Sequence, residues 1–395
     1  MLIGPNEQFR RASLTGALEI MCEELELSPT QAKDAKTHYE ASGGWLADST
    51  HPALQGISIY VQGSAAIGTT VKPIGRAEHD VDLIARLTMS ARGYSPAFVK
   101  KLVGDRLKEH LTYERLLVEM CRCWRLDYAS KFHLDITPSI PNVDCPYGGE
   151  LVPDKELSAW KASNPRGYKA LFDKRATLAP RFRVSKSAFA ADESSRASVE
   201  PYPEAMGFKG ILRRTVQIAK RHRDVHFSRR PNECAPISVI ITTLLSRSYE
   251  RCVTQRVYDD ELEVLTDVIA GMPEFIDFDG RVWSIENETT VGENFAEKWN
   301  VYPDRAGSFY AWHKKLLEDV VTLRSIEGLD RIARRLDDAF GERPAEIAIA
   351  HIEDAISASR ASGTLRYGAT GLVAATAATP VAASAAVARN TFFGR

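Results

Sequence analysis

The side chains best suited to chemistry are three aspartates. Asp80 and Asp82 stand two residues apart in HDVDLIARL. Alternate residues of a β-strand share a face, so both carboxylates point the same way while Val81, Leu83 and Ile84 supply apolar surface. Two parallel carboxylates repel each other, and keeping both ionised calls for a cation. Mg²⁺ is the hard, oxygen-seeking ion that carboxylates and phosphates share. An isolated Asp-x-Asp also fits two solvated acids at a strand edge, so the third acid matters. Asp135 lies in FHLDITPSIP, where Phe132, Leu134 and Ile136 mark a largely buried strand on which an unpaired acid is costly. A metal resolves that cost. Asp127 is the rival third ligand, but it sits beside a turn and reads as an exposed hairpin residue. Three aspartates around two Mg²⁺ ions, with Mn²⁺ as a substitute, suit nucleotidyl transfer. One ion lowers the pKa of an attacking hydroxyl, and the other neutralises the triphosphate and the departing pyrophosphate.

Such a site needs groups that meet phosphate. Gly63-Ser64 ends the run GISIYVQGS, where backbone N–H groups and the Ser64 hydroxyl can approach phosphate oxygens unobstructed; a tight strand-to-helix turn explains the same pair. The most basic segment is FKGILRRTVQIAKRHRDVHFSRR. At about 100° per residue, Lys209, Arg213 and Lys220 fall on one helical face, with Leu212, Val216 and Ala219 towards a core. That face is a candidate for phosphate; a solvated surface helix is the plainer reading of the same charges.

The elements that must position these residues follow from periodicity. The opening segment reads as helix, with Leu14, Leu18, Met21 and Leu25 at helical spacing. Ser28-Pro29-Thr30-Gln31 then supplies the cap, first-turn proline and capping-box glutamine of a second helix that Gly43-Gly44 ends. GISIYVQGS, DVDLIARL, CRCWRLDY and FHLDITPSI read as strands of one sheet, with FVKKLVGDRLKEHL a helix between them. After Pro153 the pattern turns mostly helical, through FKGILRRTVQIAKRHRD, APISVIITTLLSRSYERC, DELEVLTDVIAGM, ENFAEKW and SFYAWHKKLLEDVVTL to a last helix that begins near Pro344 and closes before Gly363. The expected fold is α+β: N-terminal helices and a mixed-sheet core over 1–160, a helical lobe over 161–362, and an Ala-rich tail over 363–395. The tail, GATGLVAATAATPVAASAAVA, is too poor in Leu, Ile and Phe for a membrane span and reads as a flexible or partly helical linker with RNTFFGR as an aromatic tip.

The chain has 395 residues, 44% hydrophobic and 26% charged, with a formal net charge of −1. That balance excludes a protein held on bulk nucleic acid by overall charge. The six cysteines form neither a secreted disulfide framework nor a paired Cys-x-x-Cys zinc site. Cys121 and Cys123 read as packing residues on one strand face. No apolar core of a signal peptide opens the chain, and a cytoplasmic protein is expected.

These motifs together resemble the CD-NTases, bacterial relatives of cGAS and oligoadenylate synthase that make cyclic oligonucleotide second messengers in antiphage operons of the CBASS type. The resemblance rests on Gly63-Ser64 with Gly68-Thr69, on Asp80-x-Asp82, and on Asp135 in an Asp-x-x-Pro setting. LVPDKELSAWKASNPRGYKALF, the helix ending AKRHRD with PISVIITTLL after it, and ENFAEKW are similar to segments of bacterial members, especially the clade called CdnD. The likeness covers roughly residues 50–320. It implies a Pol-β-like nucleotidyltransferase core with the active site in the cleft between sheet and helical lobe, Asp80, Asp82 and Asp135 as metal ligands, Ser64 on the triphosphate, and Lys220 and Ser238 on the donor phosphates. It implies ATP, with or without another NTP, as substrate, a cyclic di- or trinucleotide as product, and a HORMA-type or ubiquitin-transfer-like regulator as partner, for which the tail is a candidate handle. Where cGAS has a base-stacking aromatic residue beside that serine, this chain has Val239, so base preference is unreadable. The zinc insertion of cGAS is missing, and activation by double-stranded DNA is not expected. A template-independent polymerase, a small-molecule nucleotidyltransferase and a non-catalytic nucleotide-binding scaffold share the same residues.

Overall fold

Ser28 accepts a hydrogen bond from the Gln31 backbone and its own N–H donates to Gln31 Oε1, so the capping box of the second helix forms as read. The computed structural model describes residues 5–75, 79–91, 93–128, 132–154, 158–183 and 209–362, and the short stretches 365–368, 371–374 and 385–386. The sheet lobe holds α2 (Pro29–Ala47), β1 (Ser58–Gln62), the single turn α3 (Gly63–Ala66), β2 (His79–Arg86), α4 (Pro96–Lys108) and α5 (Leu111–Leu116). Strands β3 (Leu117–Glu119), β4 (Trp124–Tyr128), β5 (Phe132–Pro141), β6 (Glu150–Asp154) and β7 (Ala159–Ser163) complete it. The strand order is β1-β2-β5-β4-β3, and β6 and β7 continue from the far half of β5. β2 runs parallel to β5, and the other pairs are antiparallel. The α+β expectation therefore holds, in a mixed sheet.

The helical lobe comprises α6 (Pro165–Ala176), α7 (Gly210–Ser228), α8 (Ser238–Gln255), α9 (Glu261–Ala270), α10 (Glu297–Val301), α11 (Asp304–Ser325), α12 (Leu329–Phe340) and α13 (Glu342–Ala361). Two apolar cores underlie the two lobes. One joins Ile59, Leu83, Leu134 and Ile136 of the sheet to Tyr39, Val103 and Trp124; the other joins Val216, Ile241, Leu265, Trp312 and Leu336.

Several boundaries move. The first helix, α1 (Pro5–Glu24), buries Leu14, Leu18 and Met21 in the helical core rather than in the sheet lobe that its place in the chain implied. α2 continues past Gly43-Gly44 to Ala47, because Gly43 is where Ile59 of β1 closes against the helix, not where the helix stops. Glu150–Asp154 pairs antiparallel with Ala159–Ser163 as β6 and β7 instead of opening a helical region. Cys121 and Cys123 lie in bends before β4, and all six cysteines are free thiols. In the tail, Leu365–Gly368 pairs antiparallel with Gly371–Ala374, so β-prone residues override the linker reading there. The aromatic tip lies outside the described residues, and among those described no helix is long and apolar enough to cross a membrane.

Candidate active site

The parallel pairing of β2 with β5 puts Asp82 directly beside Asp135 and Asp80 beside His133. Since Asp80 and Asp82 share a face, all three acids open on one side of two central strands. Val81, Leu83, Leu134 and Ile136 point into the core behind them. The three carboxylates have unequal surroundings. Asp135 receives a two-pronged bond from Arg125 of the adjacent strand β4, with Nε and Nη2 each 2.7 Å from a carboxylate oxygen. The same guanidinium reaches Asp80 Oδ1 at 3.3 Å, and His133 Nδ1 lies 3.1 Å from that oxygen. The unpaired acid inferred for position 135 is thus already paired. Asp82 is the acid that takes no hydrogen bond or ion pair among the described residues. Burial, followed by the charges of Asp135 and Asp80, pushes its carboxyl up to about 7.

Gly63 explains why Asp82 has this setting. It leaves β1 with φ of +65°, and a Cβ there would collide with the Asp82 carboxylate. Gly63 is therefore needed for two reasons, the turn and the close approach. Ser64 follows in α3, and its hydroxyl takes no partner among the described residues. Its carbonyl accepts from Thr69 N–H at 2.9 Å, curling the chain back beside the acids.

From the helical lobe, Lys220 is 4% exposed and its ammonium binds the carbonyl and hydroxyl of Thr69 at 3.2 and 3.0 Å. Burial lowers its pKa to about 7, assisted by the Arg223 charge, while Asp224 and Asp82 oppose the shift. Lys220 and Asp82 therefore lie within each other's electrostatic reach. Arg223 connects Ser238 to this group: its Nη1 donates to Ser238 Oγ at 2.9 Å, and Asp224 fixes the guanidinium. The structure thus gathers Gly63, Asp80, Asp82 and Asp135, and brings Lys220 to Thr69 behind Ser64, with Ser238 tied to the same helix. It does not bring Arg213 or Arg214 of α7, or Lys209 before it, to the acids. Arg213 pairs with Asp173, Lys209 with Glu26, and Arg214 with Glu19 and Glu26, so the helix is buried and neutralised rather than solvated or phosphate-facing. Asp127 is half exposed, across the ladder from His133, as expected of a hairpin residue.

Arg125, His133 and Arg223 were not legible as site residues. Arg125 sits in the run CRCWRLDY with no spacing signal, and only the antiparallel register of β4 with β5 places it on Asp135.

Residues 13–175 match the Second Messenger Oligonucleotide or Dinucleotide Synthetase domain. A c-di-GMP synthase of Roseivirga ehrenbergii is 30% identical over 403 aligned residues, which span 100% of both chains. This chain is a bacterial CD-NTase. Among solved structures, CdnG of Bradyrhizobium diazoefficiens in complex with GTP superposes with a TM-score of 0.63 at 19% identity, covering 86% of this chain and 99% of that one. CdnC of Escherichia coli MS115-1, solved in a complex with HORMA-deltaN, gives a TM-score of 0.56 at 14% identity over 82% and 96%. Those two likenesses support the nucleotidyltransferase fold. The CD-NTase described here is an enzyme, a nucleotidyltransferase that synthesises cyclic oligonucleotides.

Proposed function

We propose that this CD-NTase joins two GTP molecules into a cyclic dinucleotide, releasing one pyrophosphate at each of two steps. Two observations support the reading: Asp82 stands in register with Asp135 and facing Lys220, and the relative aligned from end to end is a guanine dinucleotide synthase. In each step a ribose hydroxyl attacks an α-phosphorus, the bond to the pyrophosphate oxygen breaks, and the hydroxyl proton is lost to solvent.

The chemistry of the three carboxylates fits divalent metal, although among the described residues they do not converge as a metal-holding group and Arg125 spans Asp135 and Asp80 instead. One buried carboxyl is raised to about 7 by its two neighbours, and the neighbours have drawn in a guanidinium, so the cluster is short of positive charge. Asp80, Asp82 and Asp135 would hold two Mg²⁺ ions, which when bound supply charge neutralisation for the triphosphate and activation of the attacking hydroxyl. The chain's own residues do the rest. Ser64 and the backbone around it receive the triphosphate, Lys220 adds a buried positive charge beside that loop, and Arg223 holds Ser238 at the cleft's helical side. Arg125 keeps Asp135 oriented.

Labelled GTP, ATP, CTP and UTP, singly and mixed, with Mg²⁺ or Mn²⁺, test the reading. A phosphatase-resistant product with the mass of a cyclic GMP dimer is expected from GTP alone. A product requiring ATP would replace GTP by ATP or a mixed pair. A linear ladder, or an outcome unchanged in Asp80→Ala, would sink the reading. The biological setting proposed is cytoplasmic antiphage signalling of the CBASS type. A HORMA-type regulator is the proposed partner, motivated by the CdnC complex; co-purification that persists unchanged after removal of residues 364–395 would exclude the tail as its handle.

A further inference from the structure

The segment that curls away from Ser64 is fastened to α7 by three side chains one or two turns apart on the same face. Arg213 Nε donates to Ile67 O at 2.9 Å, Gln217 Nε2 to Thr70 O at 3.1 Å, and Lys220 to both oxygens of Thr69. Positions 213, 217 and 220 are i, i+4 and i+7, the spacing that stacks side chains along one helical stripe. Gln217 and Thr69 are fully buried and Thr70 is half-buried, so the Gln217 amide has no water to replace its partners if they are lost.

Gln217 has a second attachment. Its Oε1 accepts from Arg214 Nη1 at 3.0 Å, and Arg214 is gripped by Glu19 of α1 at 2.8 Å and by Glu26, just beyond α1, at 2.6 Å. The same end of α1 holds the loop directly: Lys72 N–H donates to Leu25 O at 2.7 Å and Lys72 Nζ to Glu24 O at 2.9 Å. A continuous path therefore runs from the acidic end of α1, through Arg214 and the Gln217 amide, to the carbonyl of Thr70. An amide suits this place because one end must accept from a guanidinium while the other donates to a carbonyl.

We infer that Gln217 is a positioning residue for nucleotidyl transfer, fixing the loop behind Ser64 and tying its position to the N-terminal helix α1. The inference rests on the reading of Ser64 as a triphosphate contact. It assigns Gln217 no contact with substrate.

Two variants separate the two ends of the amide. Gln217→Glu keeps an acceptor for Arg214 but turns a lone pair towards Thr70 O; Gln217→Met fills the volume and makes neither bond. The expected result for both is a KM for the nucleotide raised roughly 5- to 30-fold, the equivalent of one lost buried hydrogen bond, with a smaller change in kcat. Amide exchange in residues 67–72 should quicken in both. Wild-type KM together with wild-type exchange in Gln217→Glu would overturn the inference, as would equal loss of protection throughout α7, which would mark a merely structural residue. If Gln217→Glu does not fold, Gln217→Met gives the same two readings. Exchange is measured without nucleotide, so a wild-type enzyme that makes no cyclic product would defeat the proposed function while the exchange result still decides whether Gln217 holds the loop.

Discussion

The acidic face of the two central strands and the basic helix α7 lie within electrostatic reach of each other, and they can be compared group by group. On the sheet, Asp135 and Asp80 are satisfied by Arg125, and Asp82 is left without a counter-charge. On α7 and the residue before it, Lys209, Arg213 and Arg214 are satisfied by carboxylates, whereas Lys220 and Arg221 bond only neutral oxygens, those of Thr69 and the Phe340 carbonyl. Burial then drives Asp82 and Lys220, the members of the two sets that lie within each other's reach, to the same region of the scale, the acid raised to about 7 and the amine lowered to about 7. A cluster of like charges shows where chemistry can occur; the group whose charge the protein leaves uncompensated shows where a ligand's charge is needed.

The comparison can be broken most severely at Asp82. Asp82→Asn should lower kcat by at least about 10³-fold, several kcal/mol of lost charge stabilisation, in steady-state assays. The same change should stabilise the metal-free protein. The native carboxyl is raised above its unfolded value near 3.8, so its charged form is disfavoured on folding, and that cost is present above about pH 7 and gone below about pH 4. Melting at pH 8 should rise by about 2 °C or more, and melting near pH 4 should not move. Asp135→Asn should abolish activity equally without the stability gain, because it leaves Arg125 without its carboxylate. Equal stabilisation by both variants would end the distinction between them.

Lys220→Met should raise the nucleotide KM about 10-fold or more, as expected for a charge-assisted contact. Its stability effect runs opposite in pH to that of Asp82. The amine is lowered from 10.5, so the cost of its buried charge is fully present below about pH 7 and fades between pH 7 and 10.5. Melting curves at pH 6 should favour the variant over wild type more than those at pH 9. Apparent Mn²⁺ affinity, read by calorimetry, should fall as pH drops below 7 by up to about tenfold per unit while Asp82 competes for a proton; a flat profile would show that Asp82 is not a ligand. The smallest effect belongs to Asp127→Asn, which should change kcat/KM by no more than about twofold, since this half-exposed acid stands outside the cluster.

Local pattern carried much of the fold. The cap of α2, the strands bearing the three acids, and the long helices α7, α8 and α11 were all legible because each follows its own periodicity. α12 was missed although Leu329, Ile332, Leu336 and Phe340 recur at helical spacing, a signal hidden by the surrounding charges. The β6–β7 pair was missed because both strands are short and Pro153 interrupts the pattern.

By itself the sequence singled out the three acids on two strands and a glycine at a strand end, because strand alternation and the special backbone of glycine are local properties; that Gly63 makes room for Asp82 is seen only in the fold. Only the tertiary structure decided which acid lacks a partner. That depends on β4 bringing Arg125 to Asp135 and on α1 and α6 supplying carboxylates to α7. Charge compensation is a matter of neighbours in space, and residues as distant in the chain as Glu19 and Arg214 become neighbours only when the chain is folded.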